Sequence, residues 1–156
     1  MHLTVLAVGT RCPGWVREAY DDYATRLRSR LPVKLVEIEP GRRGKSQPAS
    51  RAMDEEARRI LAGVRDGTHL MMLDERGPER TSLETSRWLG ERLRDGRDLA
   101  FAIGGPDGFA PEVRERAQEA WSLSKSTLPH ALVRVLLIEQ LYRAVTLLDG
   151  HPYHRE

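Results

Sequence analysis

Three segments in the last third of the sequence carry residue types that could do chemistry together. Phe101-Ala-Ile-Gly-Gly-Pro-Asp-Gly108 is an apolar run that breaks into a glycine-rich turn. Glycine permits positive φ and a close backbone approach, so Gly104 and Gly105 are candidates for a ligand-binding turn at a strand end. A merely tight strand-to-helix turn would carry the same residues. Trp121-Ser-Leu-Ser-Lys-Ser-Thr-Leu-Pro-His130 places Ser122, Ser124, Ser126 and Thr127 around Lys125, ahead of a helix that Pro129 opens. Hydroxyls and free amides at a helix entrance hold a polar ligand edge or cap the helix. Thr127 as a plain cap is the simpler assignment. His151-Pro-Tyr-His-Arg-Glu156 supplies side chains that stack, donate and titrate, where terminal residues are more often expendable.

The same residues exclude several enzymes. The turn is not GxGxxG and no Walker lysine follows it, so neither phosphate-cradling motif applies. There is no GxSxG elbow. Histidines at 2, 69, 130, 151 and 154 are scattered without metal-ligand spacing, so no metal is expected. His69 reads as structural within a strand. His130, in the first turn of a helix, is better placed for chemistry or for bonding the preceding loop.

These segments need a scaffold. Leu3–Val8 reads as a buried strand closed by Gly9, and Pro13 opens a helix to about Arg28 with Trp15, Ala19, Tyr23 and Leu27 on one stripe. Val33–Ile38 alternates as a half-exposed strand; Pro48 or Ser50 starts a second helix that stops near Gly63 or Gly67. His69–Asp74 is a third strand. Ser82 is the expected N-cap of the next helix, with Thr85 in the usual glutamate position. Asp98–Ile103 is a fourth strand, Pro111 begins a short helix, and Trp121–Ser124 is a brief fifth strand. Strand alternating with helix predicts an α/β fold around a mainly parallel sheet. In that sheet Asp74 falls in the same region as the glycine turn.

The longest helix, Pro129 to about Leu148, is apolar all round, which predicts burial on every side and a second subunit to supply part of the cover. Glu139 and Arg143 are four apart and can pair along it. A chain of 156 residues, 40% hydrophobic and 31% charged, predicts one globular domain over 1–156. No apolar run approaches the roughly 20 residues that cross a bilayer, the opening residues lack a signal-peptide layout, and Cys12 stands alone, so a cytoplasmic protein is expected. Net charge is only +2, yet Gly41–Arg51 holds four cations and no acid. Such a patch suits a polyanion, although most charge runs are solvated surface.

Taken together, Ile-Gly-Gly-Pro-Asp-Gly, Leu-Ser-Lys-Ser-Thr-Leu-Pro-His, Leu132–Ala144 and the terminal His-Pro-Tyr-His-Arg-Glu closely resemble the ribosomal large subunit methyltransferase H family of SPOUT-class enzymes. Val8-Gly-Thr10 and Gly41-Arg-Arg-Gly-Lys45 match it too, so the resemblance covers the whole chain; Asp107 stands where the family often has glutamate. The resemblance implies a C-terminal deep trefoil knot, a homodimer, and S-adenosylmethionine as cofactor. The implied reaction is methylation of N3 of a pseudouridine in 23S ribosomal RNA on the ribosome. Carried over by motif, the cofactor site would comprise Leu73, Gly104, Gly105, Leu123, Ser124, Lys125, Ser126, Thr127 and Leu128. Candidates for contacting the base or stabilising its charge are His130, Arg134, Tyr142, Arg143, Tyr153, His154 and Arg155. Arg42, Arg43 and Lys45 would grip RNA backbone, and the tail would complete the partner subunit's site. The rival readings are a SPOUT enzyme acting on transfer RNA and a non-catalytic ribosome-binding protein.

Overall fold

The computed structural model describes residues 1–154; Arg155 lies outside the described residues. The chain runs β1 (Leu3–Val8), α1 (Gly14–Leu27), β2 (Val33–Ile38), α2 (Ala49–Ala62), β3 (His69–Leu73), α3 (Ser82–Asp95), β4 (Leu99–Ile103), α4 (Pro111–Arg116), β5 (Glu119–Trp121) and α5 (His130–Asp149), then a short 3-10 turn, Pro152–His154. All strand pairings are parallel and the sheet order is β2-β1-β4-β3-β5. The expected mainly parallel α/β fold is therefore present.

Strand alternation sends β1 to both sides of the sheet, which is why its run is continuously apolar. Leu3, Val5 and Ala7 join Phe101, Met71 and Trp121 against α1, α3 and α5. Leu6 and Val8 join Leu70, Met72 and Ala102 against α2 and α4. Parallel register puts the C-terminal ends of β1, β2, β3, β4 and β5 on one edge, and the loops carrying the candidate residues leave from that edge.

Several local expectations shift. In α1 the buried residues are Val16, Tyr20 and Leu27, whereas Trp15 is 60% exposed. The two stripes overlap at Leu27, and Val16 and Tyr20 reach the core that Trp15 leaves. The α3 cap is Thr81, whose hydroxyl accepts from the Glu84 amide while Glu84 accepts from the Thr81 amide. The capping box thus lies one residue before the expected Ser82. The fifth strand is Glu119–Trp121; Ser122 adds only an isolated parallel bridge to Glu79, and its hydroxyl bonds its own loop. Thr127 does not cap α5, which Pro129 precedes with no side-chain cap. Finally, α5 is buried along Leu137, Ile138, Leu141, Ala144 and Val145, but Leu132, Val135 and Leu136 stay half-exposed and Leu148 is exposed. One side of the helix has no cover within the chain's described residues.

Candidate active site

A cleft of about 650 Å3 opens where β3, β4 and β5 end. One wall is the glycine turn. Gly105 and Gly108 bridge each other, and Gly108 has φ 82°. A Cβ on Gly104 would press within 3.3 Å of the Gly108 backbone and the Phe109 ring, and one on Gly105 would meet the Glu56 carboxylate and Val8 at 3.2 Å. No side chain can be added here without displacing the turn.

The turn is held from behind by charge. Glu56 is 2% exposed on the packed side of α2. It accepts from the Gly41 amide at 2.9 Å and from Arg43 Nη1 at 2.7 Å. Arg43 Nε in turn donates to Asp107 at 2.8 Å. These paired carboxylates raise the already high pKa of the Arg43 guanidinium, the Glu56 hydrogen bond being the main cause. Arg43 is therefore a strut between the basic loop and the glycine turn; Arg42 and Lys45 beside it are exposed as well.

The opposite wall is the hydroxyl loop, folded onto itself. Ser122 donates to the Ser124 carbonyl at 2.8 Å, and the Ser126 amide donates to the Ser124 hydroxyl at 3.0 Å. Asp74 closes a third side. It accepts from Arg114 at 2.6 Å and from the Arg76 amide at 3.0 Å. Burial pushes the Asp74 carboxyl up, but these donors prevail and hold it below its ordinary value.

Eight of the nine residues assigned to the cofactor line this cleft: Leu73, Gly104, Gly105 and Leu123, then Ser124, Ser126, Thr127 and Leu128. Lys125 does not; its side chain is 87% exposed and reaches Glu79 at 3.7 Å. Trp121, Arg76 and Arg114 also line it and were not foreseen, because the Asp74–Arg114 pair spans 40 residues without a local signal. Glu56 did leave one trace, a carboxylate within an otherwise apolar buried stripe of α2.

The predicted catalytic residues separate into three places. His130 is exposed on the cleft wall. Arg134, one turn on, is 1% exposed and donates to Glu37 at 3.0 Å and to the Gly9 carbonyl at 3.2 Å. It is enclosed by these partners and the Cys12 thiol 3.6 Å away. The remainder gather further along α5. Arg143 donates to Glu139 at 2.8 Å, the Tyr153 hydroxyl donates to Glu139 at 3.0 Å, and the Tyr142 and Tyr153 rings meet edge-on with centroids 4.6 Å apart. Burial, with Tyr23 and Glu139 beside it, pushes the Tyr153 phenol well above its usual pKa, so it remains a donor. His154, half-buried, shares the 3-10 turn.

His69 is structural, as expected: Nε2 faces Glu119 at 2.8 Å and the ring packs edge-on against Trp88. Among the described residues no group of three or more His, Cys, Asp or Glu is arranged to hold a metal, and no helix is long and apolar enough to cross a membrane.

Comparison with known proteins agrees with this geometry. The family described as "Predicted SPOUT methyltransferase" matches residues 1–154. The chain is 51% identical to the ribosomal RNA large subunit methyltransferase H of Alkalilimnicola ehrlichii, over 99% of each chain. It is 46% identical to the protein of that name from Methylococcus capsulatus, over 99% of this chain and 100% of the relative. A solved methylase family protein from Neisseria gonorrhoeae shares the fold, with a TM-score of 0.54 at 12% identity over 90% of this chain and 81% of that one.

Proposed function

Since the chain belongs to the SPOUT methyltransferase family, we propose that it methylates N3 of a pseudouridine in 23S ribosomal RNA, using S-adenosylmethionine, as a cytoplasmic homodimer. The observation that carries this reading is the convergence of eight motif residues on one cleft. That cleft lies where α/β sheets bind ligands. Its volume suits a ligand pocket, for which roughly 300–1,000 Å3 is usual.

The donor set fits the cofactor. Leu73, Leu123 and Leu128 offer apolar surface for a nucleoside, while Gly104, Gly105 and the 124–127 loop offer backbone polar groups to its polar arms. A Cβ on Gly104 would crowd the Gly108 backbone and the Phe109 ring, so the shape of this wall depends on glycine there. When bound, S-adenosylmethionine supplies an electrophilic sulfonium methyl. The chain's own task is to hold the base in line with that methyl and to relieve N3 of its proton. His130 is the member of the predicted catalytic set, among the described residues, that lines the cleft, and we assign it the proton.

Glu139, which holds Tyr153, lies nine residues beyond His130 on α5, roughly 13 Å of helix rise. Tyr153 is thus docked away from its own chain's cleft, which supports the tail's serving a partner's. The half-exposed Leu132, Val135 and Leu136 give such a partner an apolar surface. The threaded C-terminal half belongs to the same reading.

Mass spectrometry of 23S ribosomal RNA from cells with and without the protein tests it. The methylated pseudouridine should vanish on deletion and return with the wild-type chain. A methyl group missing from transfer RNA instead, or from no RNA, overturns it.

A further inference from the structure

We propose that Trp15 is a stacking platform for an unpaired RNA base next to the methylated nucleotide, with Arg11 and Arg17 holding the flanking phosphates. The inference rests on the RNA reading above and adds a contact outside the cleft.

A large aromatic that is 60% exposed has lost most of the apolar burial that would justify it. Trp15 is also the exposed tryptophan of the three, since Trp88 is 9% and Trp121 2% exposed. Its location is constrained from both sides. Gly9, at the end of β1, lies so close to α5 that a Cβ there would be 3.4 Å from His130 Nε2. Cys12 lies 3.6 Å from Arg134, so the loop after β1 rests on the first turns of α5 beside the cleft. Trp15 follows three residues later, within about 10 Å of Cys12.

The surroundings favour a polyanion. From Thr10 to Arg17 there are two cations and no acid. Arg11 is exposed, and the Arg17 side chain is 57% exposed, with long contacts to Glu37 at 3.9 Å and the Cys12 thiol at 4.0 Å. Glu37 is itself engaged by Arg134, and Glu39 by the Thr10 hydroxyl. An indole between mobile guanidiniums is the combination that single-stranded nucleic acid sites use, because every base offers a π-face and every linkage a charge.

Fluorescence tests this directly, since the other two indoles are buried. Dye-labelled hexauridylate and an abasic hexamer of equal charge are titrated into wild type, Trp15→Phe and Trp15→Ala, affinity being read from the label's anisotropy and, in wild type, also from indole emission, with thermal melts to confirm folding. Hexauridylate should quench and shift the exposed emission; the abasic hexamer should not. Trp15→Ala should weaken hexauridylate binding roughly 5- to 100-fold, Trp15→Phe under about threefold, with the salt slope unchanged.

Undiminished hexauridylate binding by Trp15→Ala overturns the proposal. So does an emission that responds to protein concentration but not to RNA, which would place Trp15 between subunits. If Trp15→Ala methylates ribosomes at the wild-type rate and the wild-type emission is indifferent to RNA, the platform fails and the methyltransferase reading stands. If wild type methylates no ribosomal RNA, the earlier reading fails instead.

Discussion

The three cations of the Gly41–Lys45 loop are not equivalent. The run Gly41–Lys45 reads as uniformly basic, but Arg43 is shared between Glu56 and Asp107. Arg43→Ala should leave Glu56 buried without a counter-charge, held only by the Gly41 amide, lowering stability by about 2 kcal/mol in urea unfolding and weakening cofactor binding by calorimetry. Arg42→Ala and Lys45→Ala should leave stability within about 0.5 kcal/mol. Each should instead reduce the salt slope of RNA binding by roughly 0.7 to 0.9. Equal effects from all three would return Arg43 to the RNA surface.

His69 offers a residue-scale pH test. Arg92 approaches its Nδ1 at 3.4 Å, so Nε2 carries the proton donated to Glu119. Burial lowers the His69 pKa below its ordinary 6.5, outweighing the pull of Glu119. A depressed histidine contributes stability that is present above 6.5 and lost as pH falls through the lower folded value. Wild type should therefore lose unfolding free energy on acidification below 6.5 more steeply than His69→Gln, whose curve should be flatter there. Parallel curves would show that the imidazole stays outside the transition.

At the scale of elements, the sequence is most readable where a strand is buried on both faces. Leu3–Val8, His69–Leu73 and Leu99–Ile103 are apolar runs that tertiary contacts only confirm. Legibility fails where one residue of phase decides the outcome. In α1 the stripe of Trp15, Ala19 and Tyr23 and the stripe of Val16 and Tyr20 lie one residue apart, and only the packed core selects the second. Before α3, Thr81 and Ser82 are both good caps, and Glu84 three residues after Thr81 decides between them. Thr81→Ala should cost about 1 kcal/mol, whereas Ser82→Ala should lose only its bond to Gln140. The site's loops were legible through their motif. Its supports were not, because Arg43–Asp107, Asp74–Arg114 and Arg134–Glu37 join residues 64, 40 and 97 apart.

The whole molecule carries the prediction about subunits. Removing residues 151–156 should abolish methylation yet leave cofactor affinity close to wild type. His130→Ala should be inactive with its tail intact. Mixing the two inactive proteins under subunit exchange should restore about a quarter of wild-type activity, because half the dimers are mixed and each mixed dimer assembles one intact site. No recovery would mean that each tail serves its own chain.

The strand order has a consequence for how the protein is made. Leu3 of β1 registers with Leu99 of β4, and the His2 amide donates to Asp98. At 5–20 residues per second, translation leaves the first strand waiting roughly 5–20 s for the neighbour that will sit beside it. Until then β1 has β2 on one edge and α1 and α2 against its faces, while its other edge stays unpaired. A nascent chain stalled before residue 99 should accordingly be a strong client for chaperones, and one stalled after the fourth strand a weaker one.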